Sequence, residues 1–293
     1  MKGLDSLNKK YLYLLAAAHL SNDINTGSLP ALLPFFVSFY GMDYTAIAGL
    51  MFASSFLSSI IQPLFGYLAD KGSRQWFMAV GVFFAGTSLA LTGFFSDYWL
   101  IFTAVTVMGI ATSIFHPEAA RCVNGVSQGA RGKGMSIFSV GGNGGFGFGP
   151  LLAVFLVTTF GMHGLAFYGI TAICMSILLL IAAPHLRRAI ERNNRAVAAK
   201  SDAGTAADRP AATNDWHAFG RLFLVILFRS TVFTGLSSFL PLFCIQALGT
   251  SEAIGSMTLS IISIAGVAAT LFGGWFADRH GYRKTLRLGS VLL

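Results

Sequence analysis

Three ionisable or polar side chains lie close together in the first long apolar segment of this chain: His19, Asp23 and Asn25. His19 and Asp23 are four positions apart, which places them on one face of a helix. An apolar environment disfavours the charged form of a carboxylic acid. Asp23 is therefore a candidate for binding and releasing a proton, with His19 and Asn25 beside it. The alternative is a structural hydrogen-bond cluster that holds this helix to a neighbour.

A second group of candidate residues, His116, Glu118 and Arg121, lies at the end of the fourth apolar segment. Pro117 removes a backbone hydrogen bond and is expected to kink or end the helix, and Glu118 and Arg121 can pair on one helical face. These residues either take part in function or line the edge of the segment. Arg229, in the seventh segment, is a third candidate, unless its long side chain only reaches towards the aqueous surface.

The composition indicates what surrounds these groups. The chain has 293 residues, of which 54% are hydrophobic and 11% are charged, and its mean hydropathy is +0.66. Soluble domains carry about 25% charged residues, so this composition excludes a typical soluble enzyme. Cys122, Cys174 and Cys244 form no disulfide or zinc pattern. The sequence therefore indicates no metal and no cofactor.

Apolar segments long enough to cross a bilayer follow one another at regular intervals, since a membrane-spanning helix needs about 20 apolar residues. We predict eight spans, at Tyr11–Tyr40, Ala46–Ala69, Trp76–Phe95, Tyr98–Ala120, Lys133–Phe160, His163–Ala183, Phe219–Leu248 and Ile254–Ala277. A ninth apolar run begins near Thr285 and reaches Leu293. It covers about 14 Å of a hydrocarbon core about 30 Å thick. We therefore expect a C-terminally truncated part of a longer protein.

Basic residues occur in alternate breaks between the spans. The breaks after the first, third, fifth and seventh spans contain no Lys or Arg. Apart from Arg121 and Arg229, which lie at the edge of or within a span, the 20 basic residues lie in or directly beside the other breaks and at the N-terminus. Loops rich in Lys and Arg face the cytoplasm, which predicts a cytoplasmic N-terminus. The net charge of +8 is then explained by topology, and no nucleic-acid partner is expected.

The start of the chain is repeated after a polar stretch. Residues 186–217 contain almost no large apolar side chains and are predicted to form a flexible cytoplasmic linker. The loop GYLADKGSRQ returns later as GWFADRHGYRK, with Asp70 and Asp278 208 residues apart. We therefore predict a six-helix N-terminal half at residues 1–185 and an incomplete C-terminal half at residues 218–293, with two spans and the start of a third.

Two six-helix repeats around a cytoplasmic linker resemble the major facilitator superfamily, whose halves enclose a substrate site at mid-membrane. The resemblance implies an all-α polytopic membrane protein. The family's loop pattern G-x-x-x-D-[RK]-x-G-[RK] is matched twice, although Ser73 replaces a glycine in the first copy and Tyr282 replaces the last basic residue in the second. The matching residues, which the resemblance identifies as gating loops, are Gly66, Asp70, Lys71 and Arg74, then Gly274, Asp278, Arg279 and Gly281.

Two further matches are narrower. Gly145, Gly149 and Pro150 resemble the G-x-x-x-G-P motif of proton-coupled antiporters, with Ala153 and Val154 in place of its trailing glycines. The segments HLSNDINTGSLPALLPFF and IFHPEAAR resemble the fosmidomycin resistance protein group, bacterial inner-membrane exporters of a small phosphonate antibiotic. This resemblance implies a monomeric, multi-pass protein of the inner membrane, with lipid, protons and a small-molecule substrate as its partners.

On this resemblance we expect a secondary transporter that exports a small polar drug by proton antiport, and no enzyme. The alternatives are proton-coupled uptake of a small organic anion and an inactive, truncated membrane protein. The repeat offset of 207 residues between Pro34 and Pro241 maps Arg229 next to Asp23. Because the two halves of this fold face each other across the cavity, we also expect Asp23 and Arg229 to share it.

Overall fold

The computed structural model describes residues 6–72, 74–127, 131–202 and 215–291, and its regular structure is helical. Helices α1 to α9 are Ser6–Tyr40, Tyr44–Lys71, Trp76–Leu91, Tyr98–Val126, Arg131–Phe160, Ala166–Asp202, Trp216–Leu248, Glu252–His280 and Tyr282–Val291, with a 3-10 helix at Met162–Leu165. The all-α architecture is confirmed. Each predicted span corresponds to one helix from α1 to α8.

Polar residues in the short breaks define the helix ends. Four helices begin after a residue whose side chain accepts a hydrogen bond from the backbone N–H three positions later, which caps the helix. These residues are Asp43, Asp97, Asp215 and Ser251. After α5 the chain turns at Gly161 with a φ of 65°, a conformation that favours glycine. The breaks that lack Lys and Arg thus supply this turn and three of the four caps, and the linker supplies the fourth, Asp215.

Helix α1 is the centre of the N-terminal bundle. It packs most extensively against α5 and also contacts α3, α4 and α6. Leu32 and Phe36 of α1 belong to one group of buried apolar side chains, and Leu15 belongs to a second, together with Phe115. The polar residues of α1 between these two groups are therefore enclosed by neighbouring helices.

The outer surface of the molecule is apolar. On length and composition, five helical segments of the described residues can cross a membrane, and they lie at Tyr44–Lys71, Tyr98–Val126, Arg131–Phe160, Met162–Ala196 and Trp216–Phe233. Large side chains such as Phe155 and Phe228 point outwards and are more than half exposed. Continuous exposed apolar surface requires an apolar surrounding. The fold is that of a polytopic membrane protein.

The predicted linker begins as a helix. α6 continues to Asp202, and Leu186 and Ala189 are buried against the N-terminal bundle. Asn193 donates a hydrogen bond from Nδ2 to the carbonyl oxygen of Gly125 at 3.1 Å. The expectation of a flexible linker therefore does not hold for residues 186–202, because Leu186, Ala189 and Asn193 form one helical face that packs on α4. Residues 203–214 lie outside the described structure, and the boundaries of the two halves stay a prediction.

The two halves meet along α5 and α8. Asn143 of α5 donates a hydrogen bond from Nδ2 to Thr270 Oγ1 of α8 at 3.0 Å. A Cβ atom on Gly274 would lie 2.8 Å from Ser136 Oγ. Among the described residues, the α5–α8 pair makes the main contact between helices α1–α6 and helices α7–α9. One helix, α5, therefore packs on both α1 and the C-terminal half.

Glycines allow α5 to approach α1 closely. A Cβ atom on Gly141 would overlap the carbonyl oxygen of Ala16, and one on Gly145 would lie 2.7 Å from the backbone nitrogen of Ile24. Gly149 makes a similar backbone contact one turn further along. The glycine-rich run SVGGNGGFGFGP is therefore a packing surface of the kind that small residues form between membrane helices.

We predict that Gly141→Ala destabilises the protein by about 1–3 kcal/mol, the usual cost of overpacking. The added methyl group would meet a backbone carbonyl, which cannot move aside as a side chain can. Gly144→Ala is the matched control, because its Cβ atom would meet only the flexible end of Leu20, at 3.4 Å. Thermal unfolding in detergent measures both. Equal unfolding temperatures for Gly141→Ala and the wild type would contradict this packing.

Candidate functional site

A cluster of three ionisable side chains joins α1 and α4 inside the N-terminal bundle. His19 Nε2 lies 3.1 Å from Asp23 Oδ2, and His116 Nε2 lies 3.4 Å from Asp23 Oδ1. Asn22 adds a hydrogen bond from Nδ2 to Asp23 Oδ1 at 3.0 Å. Both carboxylate oxygens therefore have partners, as a buried charge requires.

Helix α5 orients His19. The Nδ1 atom of His19 lies 2.8 Å from the carbonyl oxygen of Phe138, and the ring of Phe138 stacks on the imidazole with ring centroids 3.9 Å apart. A carbonyl oxygen only accepts hydrogen bonds, so Nδ1 carries a hydrogen. The other ring nitrogen, Nε2, is then directed at Asp23.

The contact between His19 and Asp23 requires a positively charged species or a hydrogen atom between them. With Nδ1 protonated, a neutral imidazole would direct the lone pair of Nε2 at a carboxylate oxygen 3.1 Å away. A proton on either Nε2 or Oδ2 converts this repulsion into a hydrogen bond. The gap between His19 Nε2 and Asp23 Oδ2 therefore has the geometry to hold one proton.

The cluster is nearly closed, with one accessible member. The side chains of His19 and Asp23 are 11% and 6% exposed, whereas that of His116 is 25% exposed. His116 is therefore the most accessible of the three side chains. The low exposure of Asp23 strengthens its electrostatic interactions, because little water screens them.

The glycine surface of α5 makes room for the cluster. A Cβ atom on Gly142 would lie 2.6 Å from His19 Nε2 and 2.9 Å from Asp23 Oδ2. One on Gly145 would lie 2.9 Å from Asp23 Cβ. The motif predicted as antiporter-like, Gly145, Gly149 and Pro150, is buried on this surface, and α5 continues through Pro150 without ending. The structure thus joins the glycine motif to the acidic residue.

Asn25, a predicted member of the site, faces elsewhere. Its Nδ2 atom donates to the carbonyl oxygens of Ser21 and Asn22 within α1, and its Oδ1 atom points towards Gly86 of α3. Asn25 is buried, so it contributes to helix packing beside the cluster. Asn22, the residue directly before Asp23, provides the amide that donates to the carboxylate.

The second predicted group is only partly joined to this cluster. His116 reaches Asp23 from α4. Glu118 is buried next to Cys122, whose Sγ atom lies 3.8 Å from Glu118 Oε1, and Arg121 is half-buried. Pro117 does not end α4, which runs on to Val126.

Arg229 lies apart from Asp23. Its side chain is exposed on α7 and lines a groove between α7 and α9, with Phe228 and Leu286. Helix α7 packs against α8, while the described partners of Asp23 are His19, His116 and Asn22. The structure therefore does not bring Arg229 and Asp23 together, because repeat symmetry relates positions within each half without fixing how far apart the two helices stand.

The predicted gating loops lie at helix ends. Asp70 and Lys71 are exposed at the end of α2, where Lys71 Nζ lies 4.5 Å from the ring centroid of Tyr67. Arg74 is exposed, with its guanidinium carbon 5.7 Å from the ring centroid of Phe77, and Gly66 lies one turn before Asp70.

In the second copy of the loop, Gly281 ends α8 at a φ of 87°, and Arg279 just before it is exposed. Gly274 packs on α5. The side chain of Asp278 lies outside the described structure. The gating role of both loops stays a prediction.

We predict that Asp23→Asn leaves His19 as a neutral imidazole with its hydrogen on Nδ1. The amide nitrogen that this substitution introduces can donate to Nε2, so no extra proton is needed in that gap. Nitrogen-15 NMR of labelled histidine distinguishes the protonation states, and His19→Gln assigns the signal. A His19 with its hydrogen on Nε2 alone, in either protein, would disprove the contact with the carbonyl of Phe138.

The sequence is similar to several characterised transporters. It is 27% identical to the fosmidomycin resistance protein of Escherichia coli over 95% of this chain and 67% of that protein. It is 24% identical to the multidrug resistance protein MdtG of Dickeya zeae over 82% of this chain and 58% of that protein. The chain thus spans about two thirds or less of the length of these relatives.

Solved structures share the fold at low sequence identity. A bacterial homologue of the human drug and peptide transporters PepT1 and PepT2 superposes with a TM-score of 0.64 at 16% identity, over 92% of this chain and 71% of that one. The human organic anion transporter MFSD10 superposes with a TM-score of 0.63 at 17% identity, over 90% of this chain and 71% of that one. The family model of the Major Facilitator Superfamily matches residues 15–293. Together these findings identify a membrane transporter rather than an enzyme, and the chain belongs to the Major Facilitator Superfamily.

Proposed function

We propose that this protein exports a small polar drug of the fosmidomycin type, a phosphonate, in exchange for protons. The observation that carries the proposal is the buried His19–Asp23–His116 cluster, which is built to hold a proton and lies on the α1–α5 contact. The similarity to a fosmidomycin resistance protein and to MdtG supports drug export. We further propose a monomer in a bacterial inner membrane with a cytoplasmic N-terminus, on the distribution of basic residues.

The cluster gives a physical route to exchange. With a proton between His19 and Asp23, the carboxylate is neutralised or paired, and the partly exposed His116 stays available at the accessible side. A hydroxyl group of the drug that reaches the cluster past His116 and donates a hydrogen bond to the ionised carboxylate of Asp23 loses this acceptor when the proton is bound. The drug and the proton therefore compete for Asp23, so that binding of the proton favours release of the drug and binding of the drug favours release of the proton. Proton and drug affinities are thereby linked, as any coupling between two sites must be.

Helix α5 connects the cluster to the moving interface. Gly142 packs against His19 and Asp23, and the next residue, Asn143, bonds Thr270 of the opposite half. A change in the separation of His19 and Asp23 would displace the backbone of α5 at Gly142, because no side chain lies between that backbone and the cluster. Rocking of one half against the other is the usual alternating-access motion of such repeats, and α5 is the helix through which the cluster can bias it.

The deciding experiment measures drug-driven proton movement in inverted membrane vesicles, with the chain expressed from its own gene, including any residues encoded after Leu293. We predict that Asp23→Asn reduces fosmidomycin-driven proton movement at least tenfold while leaving the amount of protein in the membrane unchanged. The variant keeps the shape of the side chain and removes the exchangeable proton. Growth of fosmidomycin-sensitive cells measures export independently.

Asp97→Asn is the control, because Asp97 caps α4 at the membrane surface and asparagine caps a helix equally well. It should retain full proton movement. Undiminished proton movement in Asp23→Asn would leave Asp23 as a structural residue. Drug accumulation inside the cells, in place of resistance, would instead support the alternative of proton-coupled uptake.

We also predict that Asn143 and Thr270 are energetically coupled across the halves. In a double-mutant cycle, Asn143→Ala and Thr270→Val should each lower stability, and the double variant should lose less than the sum, by about 0.6 kcal/mol, the average for membrane side-chain hydrogen bonds. Thermal unfolding of the four proteins measures this. A control cycle combines Asn143→Ala with Thr158→Val, a substitution on the exposed side of α5. The two losses of stability in this cycle should add. Additivity in both cycles would contradict a formed Asn143–Thr270 bond.

A further inference from the structure

We propose that His19, Asp23 and His116 form a binding site for a transition-metal dication, with Zn²⁺ as the best-fitting ion. The three side chains offer two imidazole nitrogens and one carboxylate, and these ligand atoms all lie within 4.8 Å of one another. The proposal rests on this geometry and does not depend on the proposed transport function. It adds an ion to a cluster for which the sequence indicated no metal.

The distances match a metal polyhedron. Zn²⁺ binds histidine nitrogen and carboxylate oxygen at about 2.0–2.1 Å, usually in tetrahedral geometry, which separates neighbouring ligand atoms by about 3.3 Å. Asp23 Oδ2 lies 3.1 Å from His19 Nε2, and Asp23 Oδ1, the other oxygen of the same carboxylate, lies 3.4 Å from His116 Nε2. The ligand atoms of the two histidines lie within 4.8 Å of each other, so an ion between the imidazoles can be reached by the carboxylate from one side.

The surroundings of His19 are those of a metal ligand. Metal-binding histidines typically donate their other ring hydrogen to a backbone carbonyl or a carboxylate, which fixes the tautomer and the ring orientation. His19 donates Nδ1–H to the carbonyl of Phe138 at 2.8 Å and is stacked on the Phe138 ring. Its Nε2 lone pair is thereby directed into the cluster before any ion arrives.

The charge of the site also suits a cation. The described titratable groups at the carboxylate of Asp23 are the two histidines, which are metal ligands only when neutral. Asp23 then contributes a buried negative charge that a dication would compensate. Imidazole ligands favour Zn²⁺, Ni²⁺ and Cu²⁺, whereas Mg²⁺ and Ca²⁺ prefer oxygen ligands alone. The proposal therefore predicts discrimination against Mg²⁺.

A bound metal and a proton between His19 and Asp23 exclude each other, because both occupy the same gap. The displaced proton leaves to the solvent past His116, the accessible member of the cluster. A metal that crosslinks α1 to α4 should hold the bundle in one arrangement, so Zn²⁺ should act as an inhibitor if the transport proposal is correct. The binding itself is measurable whether or not transport is.

The test is isothermal titration of the purified chain, carrying an affinity tag without histidine, with Zn²⁺ alone. We expect one saturable Zn²⁺ per chain, unaffected by millimolar Mg²⁺. Asp23→Asn and His116→Gln should each weaken binding at least tenfold, while Asp97→Asn and His163→Gln, which change the same residue types outside the cluster, should not. His163 lies in the 3-10 helix, where its ring contacts Phe94.

A measurement on the unaltered protein guards against variants that fail to fold. Co²⁺ in place of Zn²⁺ should give visible absorption bands of the intensity typical of tetrahedral nitrogen and oxygen ligation, and one equivalent of Zn²⁺ should remove them. Absence of a saturable 1:1 site, equal affinity in all four variants, or a weakly absorbing octahedral Co²⁺ spectrum would overturn the proposal. Failure of drug export with intact Zn²⁺ binding would count against the proposed function alone.

Discussion

The close approach of α1 and α5 is the constraint on which the rest of this structure depends. Glycines at the contact bring the two backbones so near that a methyl group on Gly141 would overlap a carbonyl oxygen of α1. This proximity removes water from Asp23 and supplies His19 with the carbonyl of Phe138. A larger residue at Gly142 would occupy the space between His19 and Asp23. Packing and electrostatics are thus set by the same small residues.

Burying a carboxylate is costly unless its surroundings compensate the charge, and here the compensation is titratable. A lysine or arginine next to Asp23 would fix a permanent ion pair, whereas imidazoles change their charge near physiological pH. The asparagine at position 22 adds a hydrogen bond without a charge. The described partners of Asp23 are thus two imidazoles and one amide, without a permanently charged side chain among them.

The sequence predicted the fold and named His19, Asp23 and His116 as candidates, but it did not group His116 with the other two. Apolar segments and polar breaks identify the helices, because hydrophobic length and helix caps are local properties. The His19–Asp23 pair is also local, since four residues make one helical turn. His116 lies on another helix, and only tertiary packing could bring it to Asp23. The α6 extension was missed because Leu186, Ala189 and Asn193 form a narrow packed face within an otherwise polar stretch.

The expectation for Arg229 rests on a long-range inference, and a cavity shared with Asp23 stays a prediction. The offset between repeats relates its position to residue 22, but the groove beside α9 surrounds it in the structure. The long-range link that does exist runs through α5, where Gly142 contacts the cluster and Asn143 contacts Thr270. Adjacent residues of a helix point about 100° apart, so one helix can face two partners. Because its side towards α1 is glycine, the backbone of α5 itself contacts the cluster, one residue before the side chain that reaches the opposite half.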